Sequence, residues 1–299
     1  MICNLKSNSV GILVGILASL IWGSWPVFSK VAITHSLSPL DIASLRFTIA
    51  GIILFPVLLY HSIKLRMIFS KGVILAIGAG APYVLLAMYG IKMSSSTHFG
   101  AIAPSTMLVF STIGSIVFLK EALTLSRCIG VAAIVTGVVW IGLSNLQNIS
   151  TDTIFGDMMF IGCGALWASF TLLSKYWQVD SWSATALVSV VSGIICAPFS
   201  IEVIKNNPVD LIVWHGVYQG VLVAILALYC YAKCVSILGA AKGALFSALV
   251  PPVSILLSLT FLDESITINE VMGSIVVGVG TLLALGIVKL NALRTSLEQ

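Results

Sequence analysis

Apolar positions in this chain fall in long unbroken runs, not in strand-like alternation. A helix needs about 20 mostly apolar residues to cross the hydrocarbon of a bilayer. Runs of that kind cover 7–29, 39–60 (interrupted by Arg46), 72–91, 99–119 and 128–145. After a polar stretch at 146–157 they resume at 158–174, 181–201, 211–232, 243–262 and 271–288. Continuous apolarity predicts helices over barrel strands, because lipid requires every backbone group to be satisfied within its own segment. The expected fold is an all-α integral membrane protein of about ten transmembrane helices.

The chain also repeats. Gly11, Trp22, Ser24, Ser29 and Lys30 match Gly156, Trp167, Ser169, Ser174 and Lys175, each 145 positions later. Gly100, Phe118, Leu119, Glu121, Thr124, Gly130 and Gly137 match Gly243, Phe261, Leu262, Glu264, Thr267, Gly273 and Gly280 at an offset of 143. A repeat of 1–147 and 148–299 gives five helices per half within one membrane domain. Five is odd, so the halves are expected to be inverted, an architecture of secondary transporters with the solute site between the repeats. Of fifteen Lys and Arg, eleven fall in segments on the side of the N-terminus, three on the other side, and Arg46 lies within a run. That bias puts both termini in the cytoplasm.

Composition agrees. Charged residues are 9% of the 299 and mean hydropathy is +1.10, too few charges to cover a soluble surface. A net charge of +4 does not indicate nucleic-acid binding. Six scattered cysteines without a C-x-x-C pair read as packing residues, and the uncharged run 7–29 exceeds a signal h-region, so it reads as a retained first helix.

The Trp22…Ser29-Lys30 segment, Ser44-Leu45-Arg46-Phe47, and Ala101 to Leu119 leading into Lys120-Glu121-Ala122-Leu123-Thr124, echoed by Phe261-Leu262-Asp263-Glu264-Ser265-Ile266-Thr267, resemble the EamA family of the drug/metabolite transporter superfamily. The resemblance covers nearly the whole chain. It implies ten helices in two inverted repeats, export or exchange of amino acids or other small metabolites, and alternating access around a cavity lined by helices one, three, four, six, eight and nine. The inner bacterial membrane is the implied location.

Intramembrane prolines free the carbonyl four residues earlier. Pro26, Pro82, Pro104 and the Pro251-Pro252 pair would release Trp22, Gly78, Gly100, and Ser247 with Ala248. Such backbones either line a cavity or kink against neighbours. Candidate solute contacts are Trp22, Tyr83, Gly100, Pro104, Ser105, Trp167, Ser247 and Pro251, the aromatics by depth and Ser105 as a neighbour of Pro104. Aromatic packing and intrahelical hydrogen bonding are the plainer readings. Arg46 could draw an anionic group of the solute or pair with Asp41 or a carbonyl, and the structural role is the expectation. His98 and His215, at helix ends, are expected to be solvated. No carboxylate falls at mid-membrane, since Glu121, Glu264 and Glu270 lie at helix ends.

The sequence lacks a G-x4-G-K-[ST] loop and an H-E-x-x-H pair, which argues against an enzyme. A channel would show a charged ring or carbonyl filter, and a solute sensor is a further alternative. No cofactor or metal is expected. The expected partners are a small-molecule substrate, possibly an amino acid, and the lipid bilayer, with the chain monomeric or homodimeric. Gly130, Gly137, Gly273 and Gly280 would bring helices together, within the bundle or across a dimer.

Overall fold

The computed structural model describes residues 2–61, 63, 65–120, 124–143, 150–238, 246–262 and 266–284. All described regular structure is helical. The helices are α1 (Ile2–Thr34), α2 (Pro39–Tyr60), α3 (Ile68–Met93), α4 (Ser96–Leu119), α5 (Leu125–Gly142), α6 (Thr151–Tyr176) and α7 (Ser181–Asn206). Then α8 runs continuously through Val209–Gly216, Val217–Leu226 and Ala227–Leu238, followed by α9 (Val250–Phe261) and α10 (Ile268–Ala284). Among the described residues, eight helices are long and apolar enough to cross a membrane, while the described parts of α9 and α10 are shorter apolar helices. The chain is a multi-pass membrane protein.

Its surface is the reverse of a soluble protein's. Leu13, Ile52, Phe55, Leu59, Ile194, Ile201 and Ile275 face outward, while Ser19, Ser24, Ser29, Ser44, Arg46, Ser192, Gln219 and Ser254 are buried. Lipid tolerates the first set, and helix–helix hydrogen bonds satisfy much of the second. Helices start where a polar side chain can accept from the orphan amides of the first turn. Ser38 and Asp41 form a reciprocal capping box at α2, and Ser95, Thr124, Ser150 and Asp180 cap α4, α5, α6 and α7. The cap at Ser150 starts α6 before the apolar run at 158 begins, so Asp157 lies inside a helix.

Small residues set the closest crossings. A Cβ on Gly51 would lie 3.0 Å from the Ser189 carbonyl oxygen, and one on Gly193 2.6 Å from that of Phe47. Both Gly51 and Gly193, and Phe47 and Ser189, are 142 positions apart. Between α5 and α10, a Cβ on Gly130 would sit 2.6 Å from the Gly280 oxygen, and one on Gly137 2.8 Å from the Gly273 oxygen. In each crossing residue i meets the counterpart of j, and j meets the counterpart of i, the reciprocity of an isologous two-fold contact. The wider packing keeps the same pattern. α1 packs on α8 and α9, α6 packs on α3 and α4, and the pairs α2–α7, α4–α9 and α5–α10 pack on each other. The four glycines of α5 and α10 face each other within one chain.

Prolines at two sites act differently from expectation. α3 breaks at Gly80 and restarts at Ala81, so Pro82 stands in a first turn, where its missing amide costs nothing. Pro251 and Pro252 likewise stand in the first turn of α9, after a short 3-10 turn at Phe246–Leu249. Neither site is an interior kink, whereas Pro26 and Pro104 are interior to α1 and α4. The break in α3 is held by α7, since Ser192 Oγ accepts from the Ala81 amide at 3.0 Å. Ser192→Ala is therefore expected to orphan a buried amide at a cost of about 1–3 kcal/mol, measurable as a lower melting temperature of the purified protein in detergent.

Candidate functional site

Arg46 of α2 is 7% exposed at the centre of the bundle. Its guanidinium carbon lies 4.9 Å from the ring centroid of Trp25 and 5.7 Å from that of Phe47, cation–π distances. Around it rings meet in sequence. Trp25 of α1 stacks on Tyr83 of α3 at 6.3 Å and meets Phe99 of α4 edge-on at 5.1 Å, and Tyr83 meets Trp167 of α6 at 4.9 Å. The phenols of Tyr83 and Tyr218 lie within electrostatic reach of the guanidinium.

Local hydrogen bonds hold this cage. Trp25 Nε1 donates to Gln219 Oε1 at 2.8 Å, Gln219 Nε2 donates to Ser29 Oγ at 3.0 Å, and Ser24 and Tyr218 hydroxyls pair at 2.7 Å. Tyr218 and Gln219 lie in the π-helical stretch of α8, Val217–Leu226, a backbone form common at functional sites. Gly220 packs on Ile49 of α2 in that stretch, which draws α8 in close enough to deliver both side chains.

The expected structural pairing of Arg46 does not occur. Asp41 is committed to the cap of α2, with Ser38 N donating to its carboxylate at 2.8 Å. Arg46 Nε and Nη1 are buried without a hydrogen-bond partner among the described residues. A guanidinium has five N–H donors and no acceptor, and a buried cation with idle donors is costly. The arrangement can bind an anion, bidentately if it is a carboxylate, with aromatic faces on either side for an apolar body.

Of the sequence candidates, Tyr83 and Trp167 join this cage. Trp22 instead packs on Tyr231 at 5.2 Å. Gly100 serves a tight crossing, its missing Cβ replaced by Ser254 of α9, 2.6 Å to Oγ. Pro104 is half-buried in α4, and Ser105 Oγ donates to its own helix at Ala101 O. Pro251 is buried at the start of α9, and Ser247 lies in the 3-10 turn before it, its side chain outside the described residues. Trp25, Tyr218 and Gln219 are not among the sequence candidates, and Arg46, weighed there as an anion contact, was expected in a structural role. The legible signal was polarity inside an apolar run, strongest for Arg46 and Gln219.

Both helix-end histidines depart from expectation. His215 is 1% exposed, with Nδ1 unpartnered among the described residues. His98 is buried between two carboxylates, Nδ1 at 2.9 Å from Asp157 and Nε2 at 3.1 Å from Glu270. At the other membrane face, a cavity of about 380 Å³ is lined by His61, Trp177, Asp180 and Ser183. Partial burial pushes Asp180 up, but hydrogen bonds from Ser183 and nearby His61 outweigh it and leave its carboxyl below the usual range. An ionised Asp180 in the lining repels an anion, so Arg46 is the better anion site.

These features define a membrane-embedded helical bundle with a polar, aromatic centre. The sequence profile of the EamA-like transporter family matches twice, over residues 9–143 and 154–286. The chain belongs to that family. It is 24% identical to YoaV of Bacillus subtilis, a protein named as an uncharacterised transporter, over 91% of this chain and 95% of that one. An uncharacterised transporter of Archaeoglobus fulgidus is 28% identical over 80% and 85% of the two chains. A WAT1-related protein of Arabidopsis thaliana is 25% identical over 86% and 82%. A solved crystal structure shares the fold at a TM-score of 0.61 and 18% identity, covering 94% of this chain and 97% of that one.

Proposed function

We propose that this protein is a secondary transporter that moves a small organic solute bearing a carboxylate, an amino acid or similar metabolite, across the cytoplasmic membrane. Transport is by alternating access between two inverted five-helix halves with both termini in the cytoplasm, and the protein works as an exporter or exchanger. The single observation that carries the reading is Arg46, a buried cation with unused donors inside an aromatic cage drawn from both halves. Remote aromatic contacts then hold the apolar body, and the carboxylate supplies the missing partner.

The inverted halves are supported by the double family match and by the reciprocal glycine crossings. α4 and α9 meet at one end, where Gly100 packs on Ser254 and the Ser96 and Ser258 hydroxyls pair at 2.8 Å. Towards the other end α4 leans on α6 through Gly114 and Leu172, and the turn before α9 leans on α1 through Phe246 and Gly15. This splay is that of a bundle closed on the side of the N-terminus of α4, the outer side by the charge bias.

The test is counterflow into liposomes holding the purified protein. Each vesicle batch is preloaded with one unlabelled amino or organic acid and given the same labelled compound outside. Saturable uptake stimulated by the internal acid, and absent for its amide, is the expected result. Non-saturating ionic current would replace the reading with a channel, and binding without flux would replace it with a sensor.

A further inference from the structure

The cluster at the closed end of the bundle takes no part in the Arg46 site. His98 opens α4, Asp157 lies in the second turn of α6, and Glu270 lies in the first turn of α10. All three are less than 10% exposed. Asp157 accepts from Ser94 Oγ at 2.8 Å, and Glu270 accepts from the Thr267 amide at 2.7 Å, so both carboxylates are aimed. His98 sits between them, with its backbone amide held by Ser95. Other neighbours are few among the described residues. Lys30 of α1 donates to the carbonyls of Ile91 and Ser94 at the end of α3, one residue away from the cluster through Ser94. The neighbouring face of α9 contributes the hydroxyls of Ser254 and Ser258.

The hydrogen-bond inventory constrains the charge. A neutral imidazole has one N–H donor and one bare acceptor nitrogen, and an ionised carboxylate only accepts. Both ring nitrogens of His98 face carboxylate oxygens at hydrogen-bond distance. With neutral His98 and two ionised carboxylates, one of those contacts would press two lone pairs together inside the protein. The geometry therefore holds one more proton than that state, as an imidazolium between two carboxylates or as a carboxylic acid beside a neutral ring. The two carboxylates face opposite ring nitrogens, and among the described residues no group of three His, Cys, Asp or Glu side chains is arranged to hold a metal ion.

We propose that His98, Asp157 and Glu270 form a proton-binding site that is filled when this side of the transporter is closed and emptied when it opens. This rests on the alternating-access reading. Parting of α4 and α9 at Gly100 and Ser254 hydrates the site, and water can then donate to or accept from every group in it. The site then no longer needs the extra proton to satisfy its hydrogen bonds, and that proton leaves at neutral pH. The closed state is the tighter proton binder, so closure is fully favoured below the open-state value and is lost as pH rises towards the closed-state value.

Repeat symmetry makes the device one-sided. The counterparts of His98, Asp157 and Glu270 are Ala241, Ile12 and Arg127, at the offsets 143, 145 and 143 read from the sequence. None of the three carries a carboxylate or imidazole. Acid on the closed side shown here is thus expected to hold that gate shut, while the opposite gate is indifferent.

Amide hydrogen exchange of the purified protein tests this, following peptides that span 95–100 and 254–258 between pH 5 and 8, with rates corrected for intrinsic chemistry. In the wild type, protection is expected to fall by up to tenfold per pH unit above about 6.5, the limit for one linked proton. Glu270→Gln is the discriminating variant. Its amide can donate to the bare nitrogen of neutral His98 while its oxygen keeps the Thr267 amide, so closure no longer needs the proton. Its protection is expected to stay high and flat across the range. A wild-type profile without pH dependence, or a Glu270→Gln profile that still follows the wild type, would overturn the proposal. If Glu270→Gln does not fold, Asp157→Asn makes the same prediction through Nδ1. Gate protection is read without any solute, so failure here is separate from failure of counterflow.

Discussion

Arg46→Met is expected to abolish most transport while leaving the protein as stable as before or more so. Methionine fills a similar elongated volume and carries no charge. If the guanidinium binds the carboxylate of the solute, its loss removes a hydrogen bond to a charged group, about 1.5–3 kcal/mol, or about tenfold to 150-fold in counterflow efficiency. The free protein, in turn, is relieved of a buried cation whose Nε and Nη1 have no partner among the described residues. Replacing buried ionic groups by apolar ones of similar volume is often neutral or stabilising, and the cation–π contact with Trp25 offsets only about 0.5–2 kcal/mol of that. A structural Arg46 makes the opposite pair of outcomes, a sharp fall in melting temperature and a loss of flux only in proportion to unfolding. Arg46→Lys keeps the charge but not the planar fork, and is expected to fall between wild type and Arg46→Met in flux.

The second large effect belongs to the α5–α10 seam. Gly130→Leu is expected to destabilise the fold severely, by about 3 kcal/mol or more, because its first carbon would already overlap the backbone of Ala284 and lie 2.6 Å from the Gly280 oxygen. Backbone cannot rotate away as a side chain can, so α10 has to move off α5 as a unit. Gly142 on the same helix has nothing within 4 Å of an added Cβ, so Gly142→Ala is the control and should melt as the wild type does. Thermal unfolding followed by light scattering in detergent separates the two. Equal melting of Gly130→Leu and wild type would mean that α5 and α10 do not cross at these glycines.

Much of the architecture was legible in the sequence because lipid imposes one rule on every span. The run 39–60 and the helix Pro39–Tyr60 coincide, since a capping box and a proline mark its start. The run 158–174 falls short of α6, which reaches back to Thr151, because an apolar window ends at a charge whereas the helix continues through Asp157 when that charge has a partner. That partner, His98, is 59 positions away in sequence, and no local pattern reports it. Glu270 was legible as a helix-end residue but not as a buried one, for the same reason.

The site was less legible than the fold. Tyr83 and Trp167 were recognisable as aromatics deep in their spans, and they meet. Trp22 and Trp25 are three residues apart on one helix, nearly the same depth, and only rotation about α1 decides which turns inward. The apolar runs carry too little polarity contrast to set that rotation. Pro82 and Pro251 read as kinks because a sequence shows the missing amide but not whether the helix restarts beside it, as α3 does at Ala81.

The inversion of the two halves is the claim on which transport depends, and the loops that correspond under the repeat report it most directly. In a chain whose cysteines are replaced by serine, a single cysteine is introduced at Thr34, exposed at the end of α1, or at Ser181, exposed at the start of α7. Intact cells are treated with a membrane-impermeant maleimide before and after permeabilisation. Labelling of Thr34→Cys from outside, and of Ser181→Cys only once the membrane is opened, is the expected result. Labelling of both from the same side would mean that the halves run parallel, and the two-sided gate between them could not exist.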